Sequence, residues 1–242
     1  MTDNLIGMGL SNNILEPGEK AVQQMQQELG RLQKRLAELP KVSDELTGKR
    51  LQLDIATLLV AMERKKEAWD IARPLFDSFI RLAAWQDAVE TSEILYATDQ
   101  DDSIIALGNG VWLAVTFPVD PTLSVNMLDH VIEETPAESD GGAVAAAAAH
   151  YLAELRASDD TQRESLGFLT GNLLASVAYR HSGYKERELI DMWVERLELN
   201  QPDKFLPRLG MMLDVIVGDK WWVDREALRG TLPKEAGSYS EE

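Results

Sequence analysis

From Val22 onward apolar side chains recur at Val22, Met25, Leu29, Leu32, Leu36 and Leu39, a strict alternation of steps of three and four. That is an a/d seam over about two and a half heptads, closed by Pro40. A free-standing coiled coil needs three or four heptads. The pattern therefore predicts packing against the next helix of the same chain, with a weak homodimer through Val22 to Leu39 as the lesser use. Ser43 reads as the cap of a second helix, with Asp44 and Glu45 in its first turn, where the helix dipole favours acids. This helix runs through "LQLDIATLLVAM" to a basic stop at Arg64, Lys65 and Lys66. A third helix, "EAWDIARPLFDSFIRLA", and a fourth, "QDAVETSEILYA", follow. Pro74 predicts a kink in the third, or a break after Arg73.

The stretch "DDSIIALGNGVWLAVTFPVDP" carries two signals. The "NG" between apolar runs and the strand formers of "VWLAVTF" suggest a hairpin. Ile104, Leu107, Val111, Trp112 and Val115, however, share one helical face. An isolated two-stranded hairpin has little to support it in a helical chain, so a glycine-weakened helix is expected here. Beyond it, Asp120 and Pro121 open a helix that stops at Pro136. Ser139 or Asp140 opens the next, whose five consecutive alanines, 145–149, allow close helix contact. Three longer helical stretches and a short "DREALRG" complete the chain. The sum is an all-α protein of roughly nine or ten antiparallel helices, a bundle or short α-solenoid. Residues 16–230 form its single domain, 1–15 a loose arm and 231–242 a disordered tail.

Within the third and fourth helices, Ala72, Leu75, Phe79, Trp85, Ala88 and Leu95 place small and large side chains much as a tetratricopeptide helix pair does. "AWQDAVE" resembles the turn and second-helix start of that family, with Ala88 as the small residue where two helices meet. Phe76 and Ser92 depart from the family's pattern, and no 34-residue period recurs. The resemblance covers residues 70–98. It implies antiparallel helix pairs.

Composition narrows the function. There is no cysteine, so disulfides, thiolate metal sites and cysteine nucleophiles are excluded. The first thirteen residues lack the features of a secretory signal, and no eighteen-residue apolar run exists, so a cytoplasmic protein that neither spans nor binds a membrane is expected. A net charge of −17 argues against nucleic acid. The distribution is more informative than the total. Between Arg81 and Arg156 there is no Lys or Arg but thirteen Asp or Glu, whereas the first sixty residues hold seven basic and eight acidic side chains. Such asymmetry builds a one-signed field that steers a basic partner.

The standard catalytic patterns are missing. "ELTGKR" lacks the upstream glycine and following hydroxyl of a phosphate-binding loop, and "GMGL" and "GNGV" are lone glycine pairs. The residues three before His130, His150 and His181 are Met127, Ala147 and Ala178, so no Glu-x-x-His di-iron site exists. "DQDDS" at 99–103 begins like a calcium loop, but Ile104 and Gly110 occupy its sixth and twelfth positions; it reads as an acid-loaded helix start. His130 with Glu133 and Glu134, and His150 with Glu154, have pairing geometry, and surface or half-buried hydrogen bonds are the expectation. No catalytic, metal or cofactor site is expected, and no cofactor.

Binding is what the residues favour. Adjacent Trp221 and Trp222 cannot share one helix face. One reading has the chain tuck under two helices at a corner. The other has one tryptophan close the core while the second anchors a partner. The partner-binding candidates are Trp222, Trp221, Asp101, Asp102, Glu133 and Glu134. The expected function is a non-catalytic helical adaptor or scaffold that binds another protein with a basic contact surface. An accessory or assembly chaperone of an enzyme complex is the more specific version, and a small all-α enzyme using carboxylates the rival.

Overall fold

The computed structural model describes residues 18–40 and 43–232; the expected arm at 1–15 and all but Thr231 and Leu232 of the expected tail lie outside them. Among the described residues there are eleven α-helices and no strand, one or two helices more than expected. The first six are α1 (Glu19–Ala37), α2 (Glu45–Ala61), α3 (Lys65–Arg81), α4 (Trp85–Ala97), α5 (Ser103–Thr116) and α6 (Pro121–Glu134). The others are α7 (Asp140–Arg156), α8 (Asp160–Ser182), α9 (Arg187–Arg196), α10 (Pro202–Val217) and α11 (Arg225–Arg229).

Each helix from α1 to α8 packs on its successor, and the even-numbered ones also meet one another: α2 with α4, α4 with α6, α6 with α8. The chain thus zigzags between two layers, α2, α4, α6 and α8 in one and α3, α5 and α7 in the other. The α1 seam docks on α2, where Leu29 and Leu32 join Leu51, Ile55, Leu59 and Ala68 in a small separate core. The rest share one large core. α10 then returns across α5 and α7, and the residues after it continue towards α3.

Several local readings are corrected. The side chain that caps α2 is Asp44, not Ser43: its carboxylate accepts the Leu46 N–H at 2.8 Å. That bond, with one from the Thr47 hydroxyl, holds the Asp44 carboxyl below its usual range. α2 stops at Ala61, before the basic trio, because Glu63 turns with φ of 58°. Pro74 neither breaks α3 nor shortens it; the helix runs unbroken from Lys65 to Arg81. A proline there forfeits one hydrogen bond to the preceding turn, and burial of Ala72, Leu75, Phe76 and Phe79 along the same face outweighs it.

The ambiguous stretch is helical. α5 is buried from Ile105 to Ala114 on every side, which is why its apolar residues show strand-like density as well as a helical face. Its glycines are approach points. A Cβ on Gly110 would lie 2.5 Å from Ser92 Cβ on α4 and from the Met127 methyl on α6, and one on Gly108 would overlap Val217 of α10. Three arginines fasten helix C-termini whose last carbonyls lack intrahelical donors. Arg156 on α7 donates to the Ala114 and Val115 carbonyls of α5 at 2.6 and 2.8 Å. Arg180 on α8 donates to Ile132 of α6 at 3.0 Å, and Arg208 on α10 to Leu197 just after α9 at 2.6 Å.

Candidate functional site

The acidic middle of the chain is gathered on one side by the alternation of layers. α2, α4 and α6 are neighbours, so Asp54, Glu90, Glu93, Asp129, Glu133 and Glu134 form a ridge across them. His130 of α6 stands inside it, 3.9 Å from Glu93 and 3.5 Å from Glu133. The Tyr96 ring lies 4.9 Å from that imidazole, and its hydroxyl donates to Glu134 at 2.6 Å. Burial, then the bond to Glu134, pushes the Tyr96 hydroxyl well up from its ordinary value. Burial likewise raises the Asp54, Glu90, Glu93 and Asp129 carboxyls. Neighbouring carboxylates add to this: Asp87 and Asp54 beside Glu90, Glu90 beside Glu93, Glu133 beside Asp129. Asp87 alone has a full partner, the Arg50 fork, at 2.7 and 2.9 Å.

The sequence candidates therefore fall into two groups. Glu133 and Glu134 are exposed at the end of the ridge. The other four belong to the C-terminal return. Asp102, before α5, pairs with Lys220 at 2.9 Å, and exposed Asp101 lies beside the same ammonium. Trp221 meets Trp112 of α5 edge-on, centroids 6.4 Å apart, with the Arg225 guanidinium 3.8 Å above its ring. Trp222 turns the other way onto α3, edge-on to Phe76 at 5.2 Å and Trp69 at 6.3 Å, under the Arg73 guanidinium at 3.9 Å. Both tryptophans are half-buried.

Sequence reasoning missed the residue that ties this return down. Asn109 is fully buried in α5; its amide donates to the Ile105 carbonyl at 2.9 Å, and its oxygen accepts the Trp222 backbone N–H at 3.1 Å. An amide flanked by two glycines in an apolar run is a signal, but one that turn chemistry shares. Glu93 and Tyr96 escape the sequence for a different reason, since only the α4–α6 contact brings them to His130.

His150 is corrected too. Its Nδ1 pairs with the buried Thr170 hydroxyl of α8 at 2.9 Å, while Glu154 stays exposed. α7 turns His150 towards α8, and a buried polar atom takes the partner at hand. Among the described residues no three His, Asp or Glu side chains converge as a metal site would require, and no helix is long and apolar enough to cross a membrane. No protein-family model, no curated protein and no solved structure matches the chain.

Proposed function

We propose that the protein is a non-catalytic helical adaptor that binds another protein by a basic surface, through the acidic ridge of α2, α4 and α6. The observation that supports this reading most is the state of the ridge carboxylates. Glu90 and Glu93 are held above their ordinary range chiefly by burial, with neighbouring carboxylates adding to it; Arg50, bound to Asp87, offsets this only in part at Glu90, and His130 only in part at Glu93. A partner's lysine or arginine supplies the missing counter-charge. The attraction acts in a partly desolvated setting, where Coulomb energies exceed those in bulk water, and it steers encounter as well as affinity. Tyr96 and His130 add flat, half-buried surface beside the charge.

The test is affinity capture in low salt, comparing the native chain with a variant carrying Glu90→Gln, Glu93→Gln, Glu133→Gln and Glu134→Gln. A protein retained in stoichiometric amount by the native chain, released at about 0.5 M salt and lost from the neutralised variant is the expected result. Equal retention by both forms, or retention by neither, overturns the reading.

A further inference from the structure

The C-terminal return differs from the rest of the fold in how it is held. α10 ends at Gly218, whose φ of 61° and ψ of −128° are open to glycine but strained for other residues. Residues 219–232, beyond that turn, contain a single five-residue helix, α11. They lie on α3 and α5 through side chains of the loop and of the short α11, Leu228 packing on the core and Arg229 lying over Trp112, while Arg225 pairs with Asp214 of α10 at 2.7 Å. Lys220 meets Asp102, Trp221 meets Trp112, Trp222 enters between Trp69, Phe76 and Arg73, and the Trp222 N–H reaches Asn109.

These are the contacts of a bound peptide: a cation read by a carboxylate, two aromatic side chains in two sites, and a backbone amide read by a buried side chain. The host side is built in advance. Asp77 fixes Arg73 at 2.9 Å, and Phe76 and Asn109 are fully buried. The fit is also incomplete. Between Asp77 and Ile80 of α3 and Trp222, Val223, Asp224, Ala227 and Leu228 of the return there is an open groove of about 400 Å³.

We infer that residues 219–232 are a displaceable strap, occupying in this chain a docking groove on α3 and α5 for a partner segment with a lysine or arginine followed by tryptophan. The chain's own "KWW" is the internal competitor, Gly218 is the hinge, and the strap must lift before the partner binds. An apparent affinity is then reduced by the fraction of time the groove is open. This inference is independent of the acidic ridge, which lies on the other layer.

Two measurements on the full chain test it. Hydrogen exchange of the native protein is the first. Amides of 219–232 are expected to exchange by local opening, about 100-fold or more faster than those of α5. Protection equal to that of α5 makes the segment a fixed part of the core and overturns the proposal. The second uses a labelled synthetic peptide spanning residues 218–229. It is expected to bind the Trp222→Ala chain at least about tenfold more tightly than the native chain, because the competitor is weakened. A control peptide with both tryptophans replaced by alanine is expected to bind neither. Equal binding to both chains, binding by the control, or no binding to a folded variant overturns the inference. Should Trp222→Ala not fold, Lys220→Ala loosens the strap through an exposed ion pair instead. Glu93→Gln with Glu133→Gln leaves the peptide's affinity unchanged, which separates failure of the strap from failure of the ridge.

Discussion

Gly110 lets α4 and α5 approach closely, because it has no side chain where Ser92 of α4 meets it. Alanine is the better helix former by about 1 kcal/mol, and in an exposed helix Gly110→Ala would stabilise. Here the added methyl meets Ser92 Cβ at 2.5 Å, an atom fixed to the α4 backbone. The helices must separate, and overpacking of this kind costs about 1–3 kcal/mol. The expected outcome is a lower urea midpoint with an unchanged m-value. A rise in the midpoint would show that α4 stands further off than the structure places it. The Gly108 substitution meets a branched valine on α10 and is expected to fall in the same range. These positions show where sequence reading stops at the residue scale. The helical spacing of the apolar residues in α5 was legible from Ile104 to Val115, although burial there extends round every side of the helix. The roles of Gly108, Asn109 and Gly110 were not, because each is set by a residue far along the chain: Val217, Trp222 and Ser92.

At the scale of elements, the starts of α6 and α11 were legible, that of α2 was misplaced by one residue, and the closure of helix ends was not legible. Starts are written locally: Asp120 before Pro121 caps α6, and Asp224 caps α11. Ends depend on groups from elsewhere. The carbonyls of Ala114 and Val115 are closed by Arg156, two helices later, a partnership no local motif announces. That contact can be weighed. Arg156→Met keeps the apolar stem but removes the charged fork, and hydrogen bonds to charged groups contribute about 1.5–3 kcal/mol. A loss of about that size in chemical unfolding is expected, with faster hydrogen exchange at the C-terminal turn of α5. Arg156→Lys is expected to recover less than half, because an ammonium is not a planar two-pronged donor. Full recovery by lysine would mean that charge, rather than fork geometry, holds the turn. The seam of α1 teaches the complementary lesson. Its spacing foretold an apolar partner, and α2 takes Leu29 and Leu32, with Leu36 and Leu39 packed beside them.

For the whole molecule, the layered fold concentrates charge that the sequence only spreads along the chain. The all-α class and the antiparallel succession followed from periodicity. The meeting of α4 with α6, and the return of α10 and the strap onto the other layer, did not, because nothing local encodes a contact between helices so far apart in sequence. The concentration has a thermodynamic signature whose sign follows from the carboxyls. Asp54, Glu90, Glu93 and Asp129 have their folded-state values raised by burial. Above the unfolded value the native state therefore binds more protons than the unfolded one, so stability falls as pH rises. Lowering the pH from 7.5 through the upper carboxylate range removes that penalty and eases the repulsion of a net charge of −17. Asp44 and Glu67 act oppositely, since their values are lowered and the stability they add is lost as pH falls further. The thermal midpoint is thus expected to rise as the pH drops from 7.5 into the upper carboxylate range, and to fall again at lower pH where Asp44 and Glu67 take up protons. Glu93→Gln separates the ridge from the general charge. It is expected to raise the midpoint at pH 7.5 and flatten the rise on acidification, whereas Glu138→Gln, at an exposed site in the α6–α7 loop, is expected to change both far less. A midpoint that only falls as pH drops, or equal effects of the two substitutions, would show that the ridge carboxylates are solvated like any surface acid, and a basic partner would then gain nothing special by supplying their counter-charge.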